Sequence, residues 1–337
     1  MSAPALTVVL PAHHRTEFLR SAVASVLGQS LSRSEYELIV VKNFEEEETD
    51  RFLRSQGVQL LRSDRDALGG KLAEAIAAAR GEVLTFLEDD DLYAPDRLAC
   101  VRRAFEDPQL GYLHNATQLV DRQGLPLAGS FRSESRRQID VAPKDRSRRA
   151  VRWLLRASAY FNLSSIALRR EAIASALPHL AETNLTCDNL LFYSALVAPL
   201  ALRNEPAPLT YYRLHWSASW ESTGSTEFFE RERRKWGSIV DGFERIVKMA
   251  DGSPIAPFAQ GELLERQALF ALAADPQEAP FPARRLPGLL RRGIAGDAGI
   301  SVSRTVAGLA LRTLAPGLER RWYAEHARRT AQHLGIA

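Results

Sequence analysis

Short apolar runs alternate with amphipathic stretches along the first hundred residues. Leu6-Thr7-Val8-Val9-Leu10 predicts a strand that stops at Pro11. Leu19, Ala22, Val23, Val26 and Leu27 then recur at helical spacing, with Thr16 placed to cap that helix and Glu17 in its first turn. Leu38-Ile39-Val40-Val41 predicts a second strand, ending at Lys42-Asn43 and followed by an acidic stretch from Glu45 to Asp50. Val58-Gln59-Leu60-Leu61 predicts a third. Gly69-Gly70 opens a helix on which Leu72, Ala75, Ile76 and Ala79 share a face, and Gly81 stands where a helix-terminating glycine is common. The fourth apolar run, Val83 to Leu87, ends abruptly in Glu88-Asp89-Asp90-Asp91. Strands this apolar, alternating with helices, predict βαβ units and a mostly parallel sheet buried on both faces. The residues after each strand should then line one edge: His13 and His14, Lys42 and Asn43, Asp64 and Asp66, and Glu88 to Asp91. Open α/β sheets bind their ligands at that edge.

The later pattern is more varied. Leu98, Val101 and Phe105 predict a helix after Pro95, and residues 112–127 read as a hairpin turning near Gln123-Gly124. Basic residues outnumber acidic ones from Arg132 to Arg156. Leu163 to Leu168 predicts a strand with a short helix after it, Asp188 starts a helix through Leu196, and Leu209 to Leu214 predicts a last strand. From Thr226 onward the pattern is helical, with a stripe of Trp236, Val240, Phe243 and Val247. A proline-rich link, Pro276 to Pro287, leads into an arginine-rich helical end. The expected division is residues 1–222 as the α/β domain and 223–337 as a helical extension, with no internal repeat.

Composition changes this picture little. The chain has 337 residues, 45% hydrophobic and 25% charged, with a net charge of +3, which suits a folded globular protein and leaves its partners open. Two distant cysteines, Cys100 and Cys187, make neither a disulfide framework nor a zinc site. With no secretory pattern before the first strand and no apolar stretch of membrane-spanning length, a cytoplasmic location is expected. The basic end has no base-reading module, so no nucleic acid partner is expected.

The candidate chemistry starts from Glu88 to Asp91. Four adjacent carboxylates repel one another, and hard oxygen donors suit Mg²⁺ or Mn²⁺. An acidic loop bathed in solvent is the plainer alternative. Gly69-Gly70-Lys71 at a helix start suits phosphate through backbone N–H groups and the lysine charge, or is a simple flexible turn. Asn43 offers a donor and an acceptor to a base edge.

In order, Pro11-Ala12-His13-His14-Arg15, Ser25-Val26-Leu27-Gly28-Gln29, Glu37 to Val41, Ala79-Arg80-Gly81-Glu82 and Phe86 to Asp91 resemble the opening of a family 2 glycosyltransferase of the GT-A fold. Weaker echoes follow at Asn162-Leu163-Ser164-Ser165, Cys187-Asp188 and Tyr212-Arg213-Leu214-His215. The resemblance implies inverting, metal-dependent transfer of a sugar from a nucleotide diphosphate donor to a glycan or lipid-linked acceptor. It implies Asp90 as a direct metal ligand, with Asp91 either a second ligand or a turn cap and His215 a further ligand. Pro11, His13, Arg15, Asn43, Gly70, Lys71, Glu88, Asp89 and Arg213 would bind the donor. Asp188 would be the base, its alternative being an N-cap. Trp216 and Trp220 would stack on an acceptor sugar or belong to the core.

The sequence departs from the family pattern at four places. Lys42-Asn43 replaces an acidic pair, Leu72-Ala73 an Arg-Asn, Glu88 an Asp, and Cys187 a Glu. These departures keep a second expectation in view, a non-catalytic sugar-nucleotide-binding or scaffold module. A pyrophosphorylase or a dinucleotide dehydrogenase would need a glycine-rich loop directly after the first strand, where Pro11-Ala12-His13-His14 stands. The arginine-rich end also raises peripheral contact with an anionic membrane as an expectation, against a helical cap with solvated arginines.

Overall fold

The computed structural model describes residues 4–13, 16–128, 136–214, 226–295, 301–314, 317–318 and 320–325. The chain divides into two compact units, residues 1–214 and 215–337.

The first unit is built on one mixed sheet. Its parallel part consists of β1 (Leu6–Ala12), β2 (Tyr36–Lys42), β3 (Gln59–Arg62) and β4 (Val83–Phe86), separated by α1 (Leu19–Leu27), α2 (Glu47–Ser55) and α3 (Leu68–Ala78). In space the order is β3-β2-β1-β4. Leu6, Val8, Leu10, Leu38 and Val40 point toward α1 and α2 in one core, while Val9, Ile39 and Val41, of the opposite parity, are just as buried. Burial on both faces is why these strands read as unbroken apolar runs. The register puts Ala12 beside Lys42 and Lys42 beside Arg62, so the carboxyl ends meet at one edge. Leu87 N–H donates to Val9 O at 3.0 Å, which brings the acidic run to the same edge.

The rest of the sheet mixes both directions. After β5 (Leu92–Tyr93) and α4 (Arg97–Ala104) come the long β6 (Leu110–Val120), the short β7 (Ile139–Val141) and α5 (Arg148–Arg156). Then follow β8 (Ile166–Arg169), α6 (Arg170–Ile173), α7 (Leu177–Leu180), α8 (Cys187–Val197) and β9 (Ala201–Arg213). β8 joins β4 to β6, antiparallel to both, and β6 runs parallel to β9.

Several local expectations give way to packing. The hairpin at 112–127 is reduced to a turn at Asp121–Gly124, with Gly124 at φ +86° and a single bridge from Val120 to Pro126. Pro126 has no N–H to extend a ladder, and β6 takes β9 as its long partner instead. β9 starts well before Leu209, because register shifts opposite Asn115 to Thr117 absorb Pro206 and Pro208. Thr16 is not a cap: α1 starts at Leu19 behind Phe18, without a side-chain cap bond. Gly81 is not a helix-terminating glycine in the left-handed region, since α3 ends at Ala78 and Ala79 is already in extended backbone. Its N–H meets Thr7 Oγ1 at 2.9 Å, and a Cβ there would lie 2.6 Å from the backbone of β1. Close approach is what requires glycine.

The second unit contains α9 (Thr226–Met249), α10 (Ala256–Ala273), α11 (Leu286–Ala295) and α12 (Val302–Leu314) among its described residues. Phe228, Ala268, Leu272, Leu289 and Leu309 share its core. On α9 the buried stripe is Val240, Phe243 and Ile246, with Val247 half-buried beside it. Glu262 and Glu265 on α10 are paired with Arg266 and Arg292, an ionic cluster that ties α10 to α11.

Candidate active site

The loop after β4 is fastened from three directions. Ser164 Oγ accepts the Glu88 N–H at 3.0 Å. Asp89 Oδ2 accepts the His13 N–H at 3.1 Å, tying the loop to the end of β1. Asp91 Oδ1 accepts the Arg213 N–H at 3.0 Å and Oδ2 the Asn162 Nδ2 at 3.0 Å. The run thus splits by parity. Asp89 and Asp91 turn inward as braces and are nearly inaccessible, while Glu88 and Asp90 stay half-buried at the sheet edge. Asp91 caps no turn with its carboxylate; its oxygens hold β9 and the segment before β8.

Burial and mutual repulsion act together on this loop. Burial, then Asp90, Asp91, Asp188 and Asp89, hold the Glu88 carboxyl well above its usual range. Burial and Asp90 push Asp91 up to about 7, against the opposing hydrogen bonds from Ser164, Arg213 and Asn162. Each of these groups is more comfortable with a proton or a cation nearby. Among the described residues no three acidic, histidine or cysteine side chains converge into a ready-made metal cage. A nucleotide-bound Mg²⁺ or Mn²⁺ does not need one, because it is held by one or two carboxylates, substrate phosphates and water. The oxygen donors and the raised carboxyls of Glu88 and Asp91 fit such a cation.

Asp188, a hundred residues away in sequence, is near enough for its charge to act on this cluster. It lies in the first turn of α8, after Thr186 in the cap position, so it is not the N-cap. Its Oδ1 accepts the N–H and the side-chain amide of Asn189 at 2.7 and 2.9 Å. Its charge reaches Glu88. It also reaches Cys187, whose thiol is raised well above its usual range by burial, then by Asp188 and Glu88. At neutral pH Cys187 is therefore a buried, uncharged neighbour of the acids.

The other predicted residues separate into groups. Lys71 is almost inaccessible, and its Nζ donates to His13 Nδ1 at 3.1 Å and Asp66 O at 2.9 Å. An ammonium only donates, so the His13 proton sits on Nε2. Burial lowers the Lys71 pKa, opposed by Asp66, Asp89 and Glu74. Asn43 Nδ2 donates to Asp66 Oδ1 at 3.0 Å, placing Asn43 beside the same loop. The backbone cradle expected at Gly69-Gly70 is already filled. Leu68, Gly69 and Gly70 N–H groups donate to Asn184 Oδ1, Thr183 O and Ala67 O. Gly69 is glycine because a Cβ would stand 1.8 Å from Leu180 O. Pro11 is buried within β1 opposite Val41. The Arg213 guanidinium is turned onto Asp90 O at 2.7 Å, Arg122 O at 2.6 Å and the Phe18 ring, so it braces the acidic loop. Arg15, His215, Trp216 and Trp220 lie outside the described residues.

Two supports were not foreseen. Asn162 holds φ +69°, with its Oδ1 on Ser164 N–H at 2.7 Å while Nδ2 reaches Asp91. The Asn-Leu-Ser order could have signalled a local side-chain turn. Arg97 is fully buried under the loop, 4.0 Å from the Tyr93 ring centre. It donates to Thr85 Oγ1 at 2.7 Å, Asn115 Oδ1 at 3.2 Å and Ile166 O at 3.3 Å, joining β4, β6 and β8. Its partners are neutral and distant in sequence, so no local pattern announced it.

Residues 7–122 match the family model described as glycosyl transferase family 2. This segment is a family 2 glycosyl transferase domain. An uncharacterized glycosyltransferase of Rickettsia typhi is 26% identical over 98 residues, covering 28% of this chain and 30% of that protein. A counterpart from Rickettsia prowazekii matches to the same extent, so the chain spans about 30% of the length of these curated relatives. The structure is similar to S. aureus TarS, with a TM-score of 0.53 at 15% identity over 96% of this chain and 55% of that one. Similarity to the mannosyltransferase PcManGT from Pyrobaculum calidifontis, in complex with GDP-Man and Mn²⁺, gives a TM-score of 0.53. That match is 17% identical and covers 99% of this chain and 87% of that one. The fold is GT-A. Within the family 2 domain, the position of the usual first acid after β2 is taken by Lys42. It is fully buried, 2.5 Å from Asp50, which also binds Arg62 at 2.6 Å. The Leu72 that replaces the family arginine is core, and Lys71, one residue earlier, reaches the sheet edge in its stead.

Proposed function

We propose that the chain is an inverting glycosyltransferase that moves a sugar from a nucleoside diphosphate to an acceptor hydroxyl, with a divalent cation. The observation that carries this reading is the sheet edge where His13, Lys71 and Asn43 meet the acidic loop, with Asp188 near enough for its charge to raise Glu88. Asp90, with Asp91 beside it, would hold Mg²⁺ or Mn²⁺, which offsets charge on the departing diphosphate. Glu88 and Asn43 face the nucleoside side, and Lys71 with His13 supplies positive charge and an N–H near the phosphates. Asp188 accepts the proton of the acceptor hydroxyl as its oxygen attacks the anomeric carbon. The new C–O bond forms on the face opposite the diphosphate, which leaves with the electron pair of the broken bond.

Solved neighbours of the same fold are described with UDP-GlcNAc and with GDP-Man, so both base classes belong in the test. With the right donor and Mn²⁺ together, the melting temperature is expected to rise as for a ligand well above its Kd, about 2.7 kcal/mol at a hundredfold excess. A panel of uridine and guanosine diphosphate sugars, with and without cation, reads this directly. No shift with any member would refute the reading.

The acceptor and the location extend the same proposal. No helix among the described residues is long and apolar enough to cross a membrane. Leu290, Ile294, Leu314 and Leu318 are nonetheless exposed among arginines in the second unit. We place this unit against the cytoplasmic face of an anionic membrane, where a lipid-linked acceptor would be met. Flotation with anionic liposomes at low salt, lost at high salt and in Ile294→Ser/Leu314→Ser, is the expected result. No flotation at low salt would sink this placement.

A further inference from the structure

The second unit has a half-open cavity of about 640 Å³ between the proline-rich link and α12. That volume lies within the range of about 300–1,000 Å³ common to small-molecule sites. Phe281, Leu286 and Leu309 contribute apolar wall, and Arg284, Arg285 and Arg312 contribute cations, with no acidic residue in the lining. The nearest acids in sequence are already engaged, Asp275 by Arg320 at 2.6 Å and Glu278 by Arg233 at 2.7 Å. Of the three lining arginines, Arg285 donates to Gln267 Oε1 at 2.8 Å and Arg312 to Ala271 O. Arg284 is exposed and has no hydrogen-bond or ion-pair partner among the described residues.

We propose that this cavity binds a single-chain amphiphile whose head is a phosphate ester. The alkyl chain would lie on Phe281, Leu286 and Leu309, where burial replaces water with apolar contact. The head would meet Arg284 and its neighbours, whose planar forks match phosphate oxygens in pairs. Charge complementarity selects the ligand class: the lining carries three cations, its neighbouring acids are paired, and the rest is hydrocarbon. This site is separate from the transfer chemistry proposed for the first unit and does not depend on it. It also differs from membrane contact, since it is concave and takes one molecule from solution.

The test is calorimetric titration of the full chain with dodecyl phosphate below its micelle concentration. One-to-one saturable binding is expected, tightening about two- to fourfold for each methylene added from octyl to dodecyl phosphate. Inorganic phosphate and dodecyl maltoside, which each offer half of the ligand, should give no saturable binding. Arg284→Glu should weaken dodecyl phosphate at least about tenfold by reversing the unpaired charge. Ala310→Trp, at an exposed lining position on α12, should fill the cavity and abolish binding. Both positions are exposed, and far-UV spectra with melting curves check that each variant stays folded. The proposal is overturned if dodecyl phosphate does not saturate, or if either folded variant binds as tightly as the parent. Dodecyl maltoside binding equally well would overturn the charged head. Laurate binding equally well would overturn the phosphate.

Discussion

Asp90→Ala is expected to abolish cation-dependent stabilisation by the nucleotide sugar while the metal-free protein still folds. The parity of the acidic loop is the reason. Asp89 and Asp91 are spent on His13, Arg213 and Asn162, so removing either leaves buried N–H groups without acceptors. That loss costs about 1–3 kcal/mol per group before any ligand is added. Asp90 is half-buried at the sheet edge, and its backbone oxygen, which the substitution keeps, is what Arg213 Nε binds. Truncating it also removes a repulsion on Glu88 and Asp91, since no other neighbouring charge repels either of them more strongly. The opposite pattern is expected for Asp91→Ala: a lower melting temperature without ligand, because β9 and the Asn162 turn lose their common anchor. Melting curves of both variants, with and without Mn²⁺ and donor, separate the roles. An Asp90→Ala protein that keeps the full cation-dependent shift would remove Asp90 from the metal site.

The parallel half of the sheet was legible because burial on both faces leaves an unbroken apolar run, which β1, β2 and β4 all display. β9 was only half legible. Pro206 and Pro208 forbid a regular ladder, and the register shift that accommodates them depends on β6, ninety residues earlier. Gly81 misled for a related reason. Its position after a helix is the usual place for a left-handed glycine, but the neighbour that requires it is the backbone of β1. The place of the acidic loop could be read locally, because the apolar run before it is a buried strand that ends at the sheet edge. How its carboxylates divide could not, as the partners of Asp89 and Asp91 come from β1, β9 and the segment before β8. The same limit hid Arg97, a buried cation whose acceptors are neutral groups on three strands. Glycines 69 and 70 suggest a phosphate cradle from their spacing alone, but their N–H groups donate to acceptors in their own loop and the α7–α8 segment.

Asp188→Asn is expected to lower transfer about 10²–10⁴-fold while leaving donor and cation binding nearly unchanged. The substitution is close to isosteric, and an amide oxygen can still accept the Asn189 N–H now bound at 2.7 Å. Thr186, not Asp188, occupies the cap position of α8, so the helix keeps its start. What the amide cannot do is take a proton from the acceptor hydroxyl. Loss of the charge also relieves Glu88, on which Asp188 is one of four repelling carboxylates, so the loop itself should be no less stable. The decisive comparison is a split in kinetic constants. A base raises kcat and leaves the donor's binding untouched, whereas a carboxylate that merely orders α8 would change melting temperature and donor affinity together. Asp188→Ala should match Asp188→Asn in turnover if proton transfer is the role, and fall below it in stability if the Asn189 contact matters. Turnover with the true acceptor that survives Asp188→Asn would return Asp188 to the helix and leave the reaction in need of another base.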